Sequence, residues 1–588
     1  VNPIINVPFF VERRADLRTG EPTPTTRSDQ VPAPGEQDAG VFFDTVTVEG
    51  ISAQVGLGDR LTAEETAEAE YRNLHLQASV NVVKSPTGDV RPGVEIPFTL
   101  AYTNTGERAL TDVVFTDELP LTATGEPQLI FNPDRDPSVP PWSFALTGAA
   151  PTPPGGDPLP TDPADVEVED LGTSIVFTMP EGSVLEPGQT YTITLRMMLR
   201  PGLTPNDSVT NTATIDVAEP LDECVPSYDE ATGLCADTAT VRPLAVPALS
   251  TVKFVRADNP PNLPDVPNVR SDDANFTCEG SATADGFYRY PCVPLTLPGD
   301  TETWRLHVTN AGTVPISKLV SIDNLPTPGD QGLIVVIPRG SQWQPTFVGD
   351  AALIVDPTTP ANAQISLFYS TASVPCTADL NPVGTPCAPG AWLPLDDSVD
   401  PSIVRSIKVT VDFPGEEKFE PGDSLTLQFT TRTTPTAQVV KDQPTAYNTI
   451  STGGAALSGA ATVLVPATEG RRVGVAYPTG SIALQKIVSG PASGFAPDSF
   501  PVQLVCTIDG IPVQGLPEVD LVPGADPTVI DGLPLGAECT ATEGQWGQTQ
   551  TDIGTATVTL DTEEIGLVTV ENIYDVAALR ISKAVDTD

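Results

Sequence analysis

Proline occurs so often in this chain that it limits how the chain can fold. The 588 residues include 63 prolines and 47 glycines, and proline inside a helix removes a hydrogen bond and clashes with the preceding turn. Between these breaks, apolar and polar residues alternate, which is typical of short strands. The sequence therefore excludes long helices. It predicts an all-β chain, an elongated tandem array of immunoglobulin-like antiparallel β-sandwich domains.

One strand pattern containing a lysine occurs four times. Such self-similarity at intervals along a chain is the signature of repeated domains. Only eight lysines are present, and four of them lie near the same place in this pattern. The four copies are Leu76–Lys84, Ala248–Val255, Ser481–Val488 and Ala578–Val585.

The first two copies are followed by further matching segments in the same order. They include Pro-Gly turns that lead into a strand. This shared order indicates two related domains. The matching pairs are Pro92–Gly106 with Pro298–Gly312, Val113–Pro120 with Leu319–Pro326, Leu185–Leu195 with Phe419–Phe429, and Val209–Thr214 with Ala446–Ser451.

The repeats predict the domain boundaries. We expect domain one at 76–246, domain two at 247–478, domain three at 479–577 and the start of a further repeat at 578–588. Domain two is longer because of inserts around 256–296 and 327–400.

Residues 1–75 are harder to assign. Leu61–Tyr71 has good helix propensity, but its place before an opening strand favours the end of a truncated preceding β domain. The chain starts at Val1 without a signal-peptide pattern and ends within an apparent strand. We therefore expect a piece of a longer protein, or a processed one.

The charge of the chain excludes several partners. The formal net charge is −47, with a sequence pI near 4.1. Nucleic-acid binding needs clustered Lys and Arg, so no nucleic-acid partner is expected, and an acidic membrane surface is disfavoured for the same reason. Apolar runs of about 18 residues are absent from the sequence, so we expect no membrane insertion in this segment.

The eight cysteines form four neighbouring pairs, which favours disulfides and an oxidising, extracellular compartment. Zinc would need closer ligand spacing and histidines, and free thiols are the remaining alternative. The predicted pairs are Cys224–Cys235, Cys278–Cys292, Cys376–Cys387 and Cys506–Cys539.

Motifs for turnover chemistry or cofactor binding are lacking. Asp-rich stretches at Ser271–Asp273 and Asp396–Asp400 do not have the spacing of a calcium loop, so solvated acidic loops are favoured. Trp343 and Trp392 lie in the second insert, where core packing is favoured over a ligand contact. The sequence predicts a protein that is not an enzyme and needs no cofactor or metal.

Domains one and two resemble a repeat domain of unknown function that is common in bacterial surface proteins. The resemblance lies in the opening-strand lysine, Pro92–Gly106, Val113–Pro120 and Val209–Thr214, with the matching segments of domain two. Domain three resembles the B-type repeat of collagen-binding adhesins. The segments that carry this second likeness are Gly480–Lys486, Phe500–Cys506, Gly536–Glu543 and Val568–Asn572.

This resemblance implies an actinobacterial, cell-wall-associated stalk whose domains are often locked by Lys–Asn isopeptide bonds. Such a bond needs a neutral lysine amine and a protonated carboxylic acid, which burial favours. The first and last strands of a sandwich often pair, so we expect Lys and Asn side by side. The sets implied, as Lys, acid and Asn, are Lys84, Asp117 and Asn211; Lys253, Asp323 and Asn448; and Lys486, Glu543 and Asn572.

Other interpretations of these residues are open. An edge-strand lysine protects against aggregation, the aspartates can start turns, and the asparagines can bind loops. In domain three, Glu538 and Glu571 lie close enough in sequence to be the acid instead of Glu543.

The function expected is structural, as an extracellular stalk or fibre segment of a bacterial surface protein. One alternative is an adhesin module that binds a host protein or glycan through the domain-two inserts. Another is a subunit of a homopolymeric surface filament or layer. The partner is thus an unknown surface ligand or a second copy of the chain.

Overall fold

The structure is a computed structural model that describes residues 23–27, 40–52, 61–72, 74–229, 231–262, 266–354, 356–434, 443–459, 461–543, 555–560 and 565–576. Within these ranges the regular structure is strand, apart from short 3₁₀ helices of three residues each. The prediction of an all-β chain is confirmed. The 3₁₀ helices are Pro163–Asp165, Ala378–Leu380, Pro401–Ile403 and Ser493–Phe495.

The N-terminal region contains a long antiparallel hairpin. Its two strands of 12 residues pair along their whole length, from Val41 opposite Arg72 to Ser52 opposite Leu61. The helix propensity of Leu61–Tyr71 is therefore overridden by strand pairing. Assignment of this region to a preceding domain remains a prediction. The strands are β1 (Thr26–Arg27), β2 (Val41–Ser52), β3 (Leu61–Arg72) and β4 (Leu74–His75).

Sandwich one is formed by the next fifteen strands. Its two main sheets have the order β10-β15-β7-β5-β17, with β9 also paired to β15, and β12-β13-β8-β16-β19-β18, with β6 also paired to β19; β11 and β14 form a separate pair. The strands are β5 (Ser79–Ser85), β6 (Gly88–Val90), β7 (Ile96–Asn104), β8 (Val114–Glu118), β9 (Leu129–Ile130), β10 (Trp142–Thr147), β11 (Asp157–Pro158), β12 (Glu167–Asp170), β13 (Ser174–Thr178), β14 (Ser183–Val184), β15 (Thr190–Leu199), β16 (Val209–Asp216), β17 (Glu223–Val225), β18 (Ser227–Tyr228) and β19 (Cys235–Pro243).

The core of sandwich one lies between these two sheets. Along β7, buried residues alternate with more exposed ones, as expected for a strand with one face on a core. Tyr102 of β7 and Phe115 of β8 lie on opposite sheets, and their ring centroids are 4.3 Å apart. Aromatic contacts of this kind hold the two sheets together.

Sandwich two has sheets of order β20-β23-β30-β25 and β28-β27-β29-β24-β32-β33, with smaller pairs β21-β22 and β31-β34. The strands are β20 (Leu249–Ala257), β21 (Val269–Ser271), β22 (Cys292–Pro294), β23 (Thr301–Asn310), β24 (Ile316–Asn324), β25 (Thr346–Phe347), β26 (Ala352–Ile354), β27 (Gln364–Ser370), β28 (Leu393–Pro394), β29 (Ser406–Asp412), β30 (Ser424–Arg432), β31 (Thr445–Asn448), β32 (Ile450–Ser458), β33 (Ala461–Glu469) and β34 (Val473–Ala476).

The predicted inserts contribute to the core of sandwich two. Trp343, which is 2% exposed, packs on Tyr477 with ring centroids 5.4 Å apart. Trp392 is also buried, beside Val320 and Ile322. Core packing, rather than a ligand contact, is thus the observed role of both tryptophans.

Sandwich three has sheets of order β39-β35-β42 and β37-β36-β40-β41. Its first and last strands, β35 and β42, run parallel, which departs from the expected antiparallel pattern. The strands are β35 (Thr479–Ser489), β36 (Phe500–Ile508), β37 (Ile511–Pro512), β38 (Val519–Leu521), β39 (Thr528–Pro534), β40 (Glu538–Glu543), β41 (Thr555–Thr559) and β42 (Gly566–Ile573).

The Asn-x-Gly repeat has one structural role in both related sandwiches. The Asn104 carboxamide donates to the carbonyls of Arg108 and Leu185, each at 2.8 Å, and its oxygen accepts from Gly106 N at 2.9 Å. A side-chain carbon at Gly106 would lie 2.4 Å from the Gln77 carbonyl oxygen, so glycine is required there.

The matching residues of sandwich two repeat this arrangement. Asn310 donates to the carbonyls of Val314 and Phe419, at 3.0 and 2.8 Å, and accepts from Gly312 N at 3.1 Å. Leu185 and Phe419 are themselves equivalent in the sequence repeat. The repeat therefore encodes a buried asparagine that joins two loops of each sandwich.

Neighbouring sandwiches share contacts. Arg471 at the end of sandwich two donates from its backbone N–H to Asp134 of sandwich one, at 2.9 Å. Val266 and Leu295, from the first insert of domain two, belong to the apolar core of sandwich three. Side chains and backbone groups therefore make contacts across the domain limits that the sequence predicts. The expected further repeat at 578–588, with Lys583, lies outside the described residues.

Candidate functional site

A buried lysine in sandwich one lies against a buried carboxylate. Lys84 Nζ is 2.6 Å from Asp117 Oδ1, and neither side chain is exposed to solvent. Asn211, also fully buried, lies beside Asp117, and its carboxamide oxygen accepts no hydrogen bond in the described part of the chain. The structure thus brings the three predicted residues into one site.

Strand pairing explains how Asp117 and Asn211 come together. Asp117 of β8 is opposite Ala213 of the neighbouring strand β16. Asn211 precedes Ala213 by two residues, and side chains two residues apart point to the same face of a sheet. Lys84 comes from β5 in the opposite sheet. The site therefore lies between the sheets.

This geometry corrects one prediction for sandwich one. The sequence predicts Lys84 and Asn211 on paired first and last strands, but β5 and β16 belong to different sheets. In addition, β16 is not the last strand of the sandwich, because β19 comes after it in the chain. The sequence pattern defines the face on which each side chain lies, whereas membership of a sheet depends on long-range pairing.

Burial shifts the protonation equilibria of the pair in sandwich one. Loss of solvation lowers the pKa of Lys84 and raises the pKa of Asp117, while their mutual attraction acts in the opposite direction. Both desolvation effects favour a neutral amine and a neutral acid. These are the forms that amide formation requires.

Sandwich two repeats the arrangement of sandwich one. Lys253 Nζ of β20 is paired with Asp323 Oδ2 of β24, and both side chains are at most 2% exposed. Asp323 is opposite Ile450, the first residue of β32, and Asn448 ends the preceding strand β31 two residues earlier. The asparagine therefore comes from the segment next to the partner strand of the acid, and the lysine comes from the opposite sheet. As in sandwich one, the expected pairing of first and last strands is wrong.

The surroundings of Lys253 are apolar. Its Nζ lies 5.5 Å from the ring centroid of Trp304 and 5.6 Å from that of Phe429. Burial among these groups lowers the pKa of Lys253 to about 8, although Asp323 opposes the shift. An appreciable fraction of neutral amine is therefore available near neutral pH.

In sandwich three, the lysine and the asparagine come from the same sheet and the acid comes from the opposite one. Lys486 of β35 is opposite Val570 of the parallel strand β42, and Asn572 is two residues further on. Here the first and last strands do pair, as the sequence analysis expected. Glu543 comes from β40 in the other sheet.

Glu543 joins the other two members of this set. Lys486 Nζ lies 2.7 Å from Glu543 Oε2, with both side chains inaccessible to solvent. Asn572 Nδ2 donates to Glu543 Oε1 at 2.8 Å, and burial lowers the pKa of Lys486. Of the alternative acids, Glu538 and Glu571 are both exposed, so the geometry favours Glu543.

The three lysines do not fit the role of edge-strand lysines that prevent aggregation. Such lysines keep their charge in solvent, whereas Lys84, Lys253 and Lys486 are at most 3% exposed. Nucleophilic attack of an amine on an amide carbon would need a neutral lysine, an acid and a carboxamide close together in such a buried site.

The cysteines are paired as disulfides in the structure. Cys506 and Cys539 are directly opposite each other on the adjacent strands β36 and β40, so this bond joins neighbouring strands that are distant in sequence. The four bonds are Cys224–Cys235, Cys278–Cys292, Cys376–Cys387 and Cys506–Cys539.

Two charged residues that sequence reasoning missed are also buried. Arg339 donates to the Asn448 carboxamide oxygen, and Glu302 accepts from Thr431 and Thr433. Arg339 lies in a loop without strand periodicity, so local sequence carries no signal for it. Glu302 lies in β23, where the alternation predicts a strand but not a buried charge.

Within the described ranges, there is no cluster of three or more His, Cys, Asp or Glu residues suited to a metal ion. A helix with the length and apolar character needed to cross a bilayer is likewise not found there.

One family model matches part of the chain, at residues 482–575, and it describes a domain of unknown function (DUF5979). The match lies on sandwich three and not on domains one and two, whose sequences resemble a repeat domain of unknown function. No curated protein matches the chain.

Solved structures that match the chain include major pilins and a collagen-binding adhesin domain. The major pilin subunit BcpA of Bacillus cereus is 10% identical, with a TM-score of 0.26, and the match covers 79% of this chain and 99% of the pilin. The major pilin SpaD of Corynebacterium diphtheriae is 10% identical, with a TM-score of 0.23, covering 79% of this chain and 93% of that one.

A collagen-binding domain from a Staphylococcus aureus adhesin is 13% identical, with a TM-score of 0.17, and the match covers 28% of this chain and 96% of the domain. Such low identities and TM-scores leave the function to be argued from the sites themselves.

Proposed function

We propose that this chain is a structural segment of an extracellular bacterial stalk or fibre, in which each of the three sandwiches is locked by a self-formed Lys–Asn isopeptide bond. The observation that carries the proposal is the recurrence of one buried set, lysine, acid and asparagine, in three successive sandwiches. The acidic surface and the four disulfides agree with a location outside the cell.

The chemistry at each site conserves atoms and charge. The neutral lysine amine attacks the asparagine Cγ, a new N–C bond forms, and the bond from Cγ to Nδ2 breaks. The neighbouring acid protonates the departing nitrogen and accepts the proton that the lysine nitrogen loses. The products are one amide cross-link and one molecule of ammonia.

The proposal is tested by the mass of the intact, reduced protein. Each bond removes about 17 Da as ammonia, so three bonds predict a deficit of about 51 Da from the mass of the sequence. Peptide mapping then identifies the joined residues. A reduced protein with the full sequence mass contradicts the proposal.

Single substitutions assign the bonds. Lys84→Ala, Lys253→Ala and Lys486→Ala should each remove one deficit of about 17 Da and leave the other two. Lys318→Ala is the matched control, because Lys318 pairs with Asp412 in a partly exposed position outside the three sites. It should retain the complete deficit.

A second candidate function is contact with a protein partner through the second insert. Four consecutive aliphatic residues there, Ile334–Ile337, are 40–70% exposed. Glu469 fixes the loop by accepting from the N–H groups of Leu333, Ile334 and Val335. A fixed, exposed apolar run of this kind often marks a protein contact.

Sedimentation analysis tests this second candidate with a second copy of the chain as the partner. Val336→Asp should abolish any concentration-dependent association of the wild-type protein. Association that is unchanged in this variant would exclude the loop from the contact. A wild-type protein that remains monomeric at high concentration would exclude the homopolymer alternative and leave an adhesin role.

A further inference from the structure

Sandwich two contains a buried cation that contacts its candidate cross-linking site. Arg339 is 3% exposed, and its Nη1 donates to Asn448 Oδ1 at 3.1 Å. This oxygen is the atom that would become negatively charged when an amine attacks the Asn448 carbonyl carbon. A preorganised donor at that position stabilises the developing charge.

The guanidinium is held in place by other contacts. Arg339 Nη1 also donates to the carbonyl of Asn324 at 2.9 Å, and Nη2 is paired with the buried carboxylate of Asp330. Ser341 donates to the same carboxylate at 3.0 Å. Asn324 directly follows the acid Asp323 in sequence, so these bonds tie the arginine loop to the strand that carries the acid.

We propose that Arg339 is a catalytic residue for amide formation between Lys253 and Asn448, acting as the electrophilic group on the carboxamide oxygen. This inference rests on the proposed function. As Lys253 Nζ bonds to Cγ, electrons move onto Oδ1 and are stabilised by the guanidinium. They return when the bond from Cγ to Nδ2 breaks and ammonia leaves.

The unpaired atoms of the site fit this assignment. Asn448 Nδ2 and Asp323 Oδ1 are both buried and have no hydrogen-bond partner among the described residues. The departing nitrogen is therefore not held by another group, and the acid has an oxygen free to carry a proton. The charge of Arg339 also lowers the pKa of Lys253, which favours the neutral amine.

The other two sites lack this feature in the described part of the chain. Asn211 Oδ1 and Asn572 Oδ1 have no donor there. If Arg339 acts as proposed, its removal slows the reaction in sandwich two and leaves sandwiches one and three unaffected. The same molecule thus supplies two internal controls.

The experiment follows cross-linking in the full chain after a short pulse of expression, with the linked Lys253–Asn448 peptide quantified by mass spectrometry. The test variant combines Arg339→Gln with Asp330→Asn, so that no buried carboxylate is left without its partner. We expect linking at least about 100-fold slower than in wild type, the usual cost of losing one oxyanion donor. Linking at the wild-type rate would overturn the inference.

Two further variants separate chemistry from folding. Val336→Ala alters the same insert at an exposed position three residues before Arg339 and should link at the wild-type rate. Arg339→Lys decides the question if the double variant does not fold, as judged by protease resistance of residues 247–478. A rate at least about tenfold below wild type supports the inference, whereas a wild-type rate overturns it.

The wild-type protein distinguishes failure of the proposed cross-link from failure of the proposed role of Arg339. Absence of the Lys253–Asn448 peptide from mature wild-type protein refutes the proposed function for sandwich two, and with it the role of Arg339. Presence of the peptide in both wild type and the double variant, formed at equal rates, refutes only the role of Arg339.

Discussion

Removal of Asn572 should reveal how much a cross-link contributes to sandwich three. Asn572→Ala prevents the proposed amide with Lys486 while leaving the Lys486–Glu543 pair in place. If the amide has not formed, the variant instead loses the hydrogen bond from Asn572 Nδ2 to Glu543 Oε1. The two losses differ in size, so the measured change in stability reports whether the covalent bond exists.

The magnitude follows from loop closure in the unfolded chain. Lys486 and Asn572 are 86 residues apart, and a cross-link over such a loop lowers the unfolded-state entropy by an amount worth about 4.6 kcal/mol. The disulfide Cys506–Cys539 already shortens this loop by 33 residues. With that bond in place, the amide is worth about 4.2 kcal/mol.

In the cross-linked protein Nδ2 has left as ammonia, so Asn572→Ala removes only the amide and should cost about 4.2 kcal/mol. If the amide does not form, the variant loses only the buried hydrogen bond, at about 1–3 kcal/mol. The measurement is hydrogen exchange of the β35 amides in the full chain, analysed by peptide mass spectrometry. Each 1.4 kcal/mol corresponds to a tenfold change in protection, so protection should fall by roughly 10³-fold if the amide forms.

Asn211→Ala is the control, because it alters sandwich one and should leave exchange in β35 unchanged. A fall in protection of less than about 100-fold in Asn572→Ala would refute the reasoning. So would a wild-type mass without the corresponding deficit.

Three further predictions concern stability. Asn104→Ala and Asn310→Ala each remove three side-chain hydrogen bonds. Each variant should destabilise its own sandwich by about 2–4 kcal/mol, as measured by hydrogen exchange. Clearly unequal values would argue against equivalent roles of the two asparagines. Burial raises the pKa of Glu302 from 4.5 to about 7, so the folded state binds more protons than the unfolded chain between these pH values. Stability of sandwich two should therefore fall by up to about 3 kcal/mol as pH rises through this window, and Glu302→Gln should remove that part of the slope in urea unfolding followed by tryptophan fluorescence. Replacement of Cys376 and Cys387 by Ser opens a loop of 11 residues. In hydrogen exchange, the free energy of local opening should fall there by about 3 kcal/mol, while β24 and β29 stay unchanged. Loss of protection in those two strands would contradict a local role of the disulfide.

The strands and turns of this protein could be predicted from local sequence. Alternation places buried residues on one face of β7, and the Asn-x-Gly repeat indicates the same turn in two sandwiches because Asn104 and Asn310 make equivalent bonds. Scarcity of lysine and the order of the motifs were enough to select Lys84, Lys253 and Lys486 as candidates.

The relative placement of the sheets could not be predicted. A period of two residues defines which face of a strand is buried, but not which sheet the strand joins. Lys84 and Asn211 therefore lie in opposite sheets, although their order along the chain is the same as that of Lys486 and Asn572. Arg339 was also missed, since its burial depends on Asp330 and Asn448 meeting in three dimensions.

The parallel pairing of β35 and β42 has a consequence for a chain under tension. Parallel neighbours run in one direction, so the chain enters sandwich three at one end of the ladder and leaves at the opposite end. A pulling force then loads the hydrogen bonds of the ladder together instead of opening them in turn.

With the proposed amide in place, the force would pass along β35 to Lys486, cross to Asn572 and reach the end of β42 one residue later. The chain between these two residues would carry no load. Sandwich three could then lose its fold under tension without becoming longer, so its length would be governed by covalent bonds and not by its free energy of unfolding.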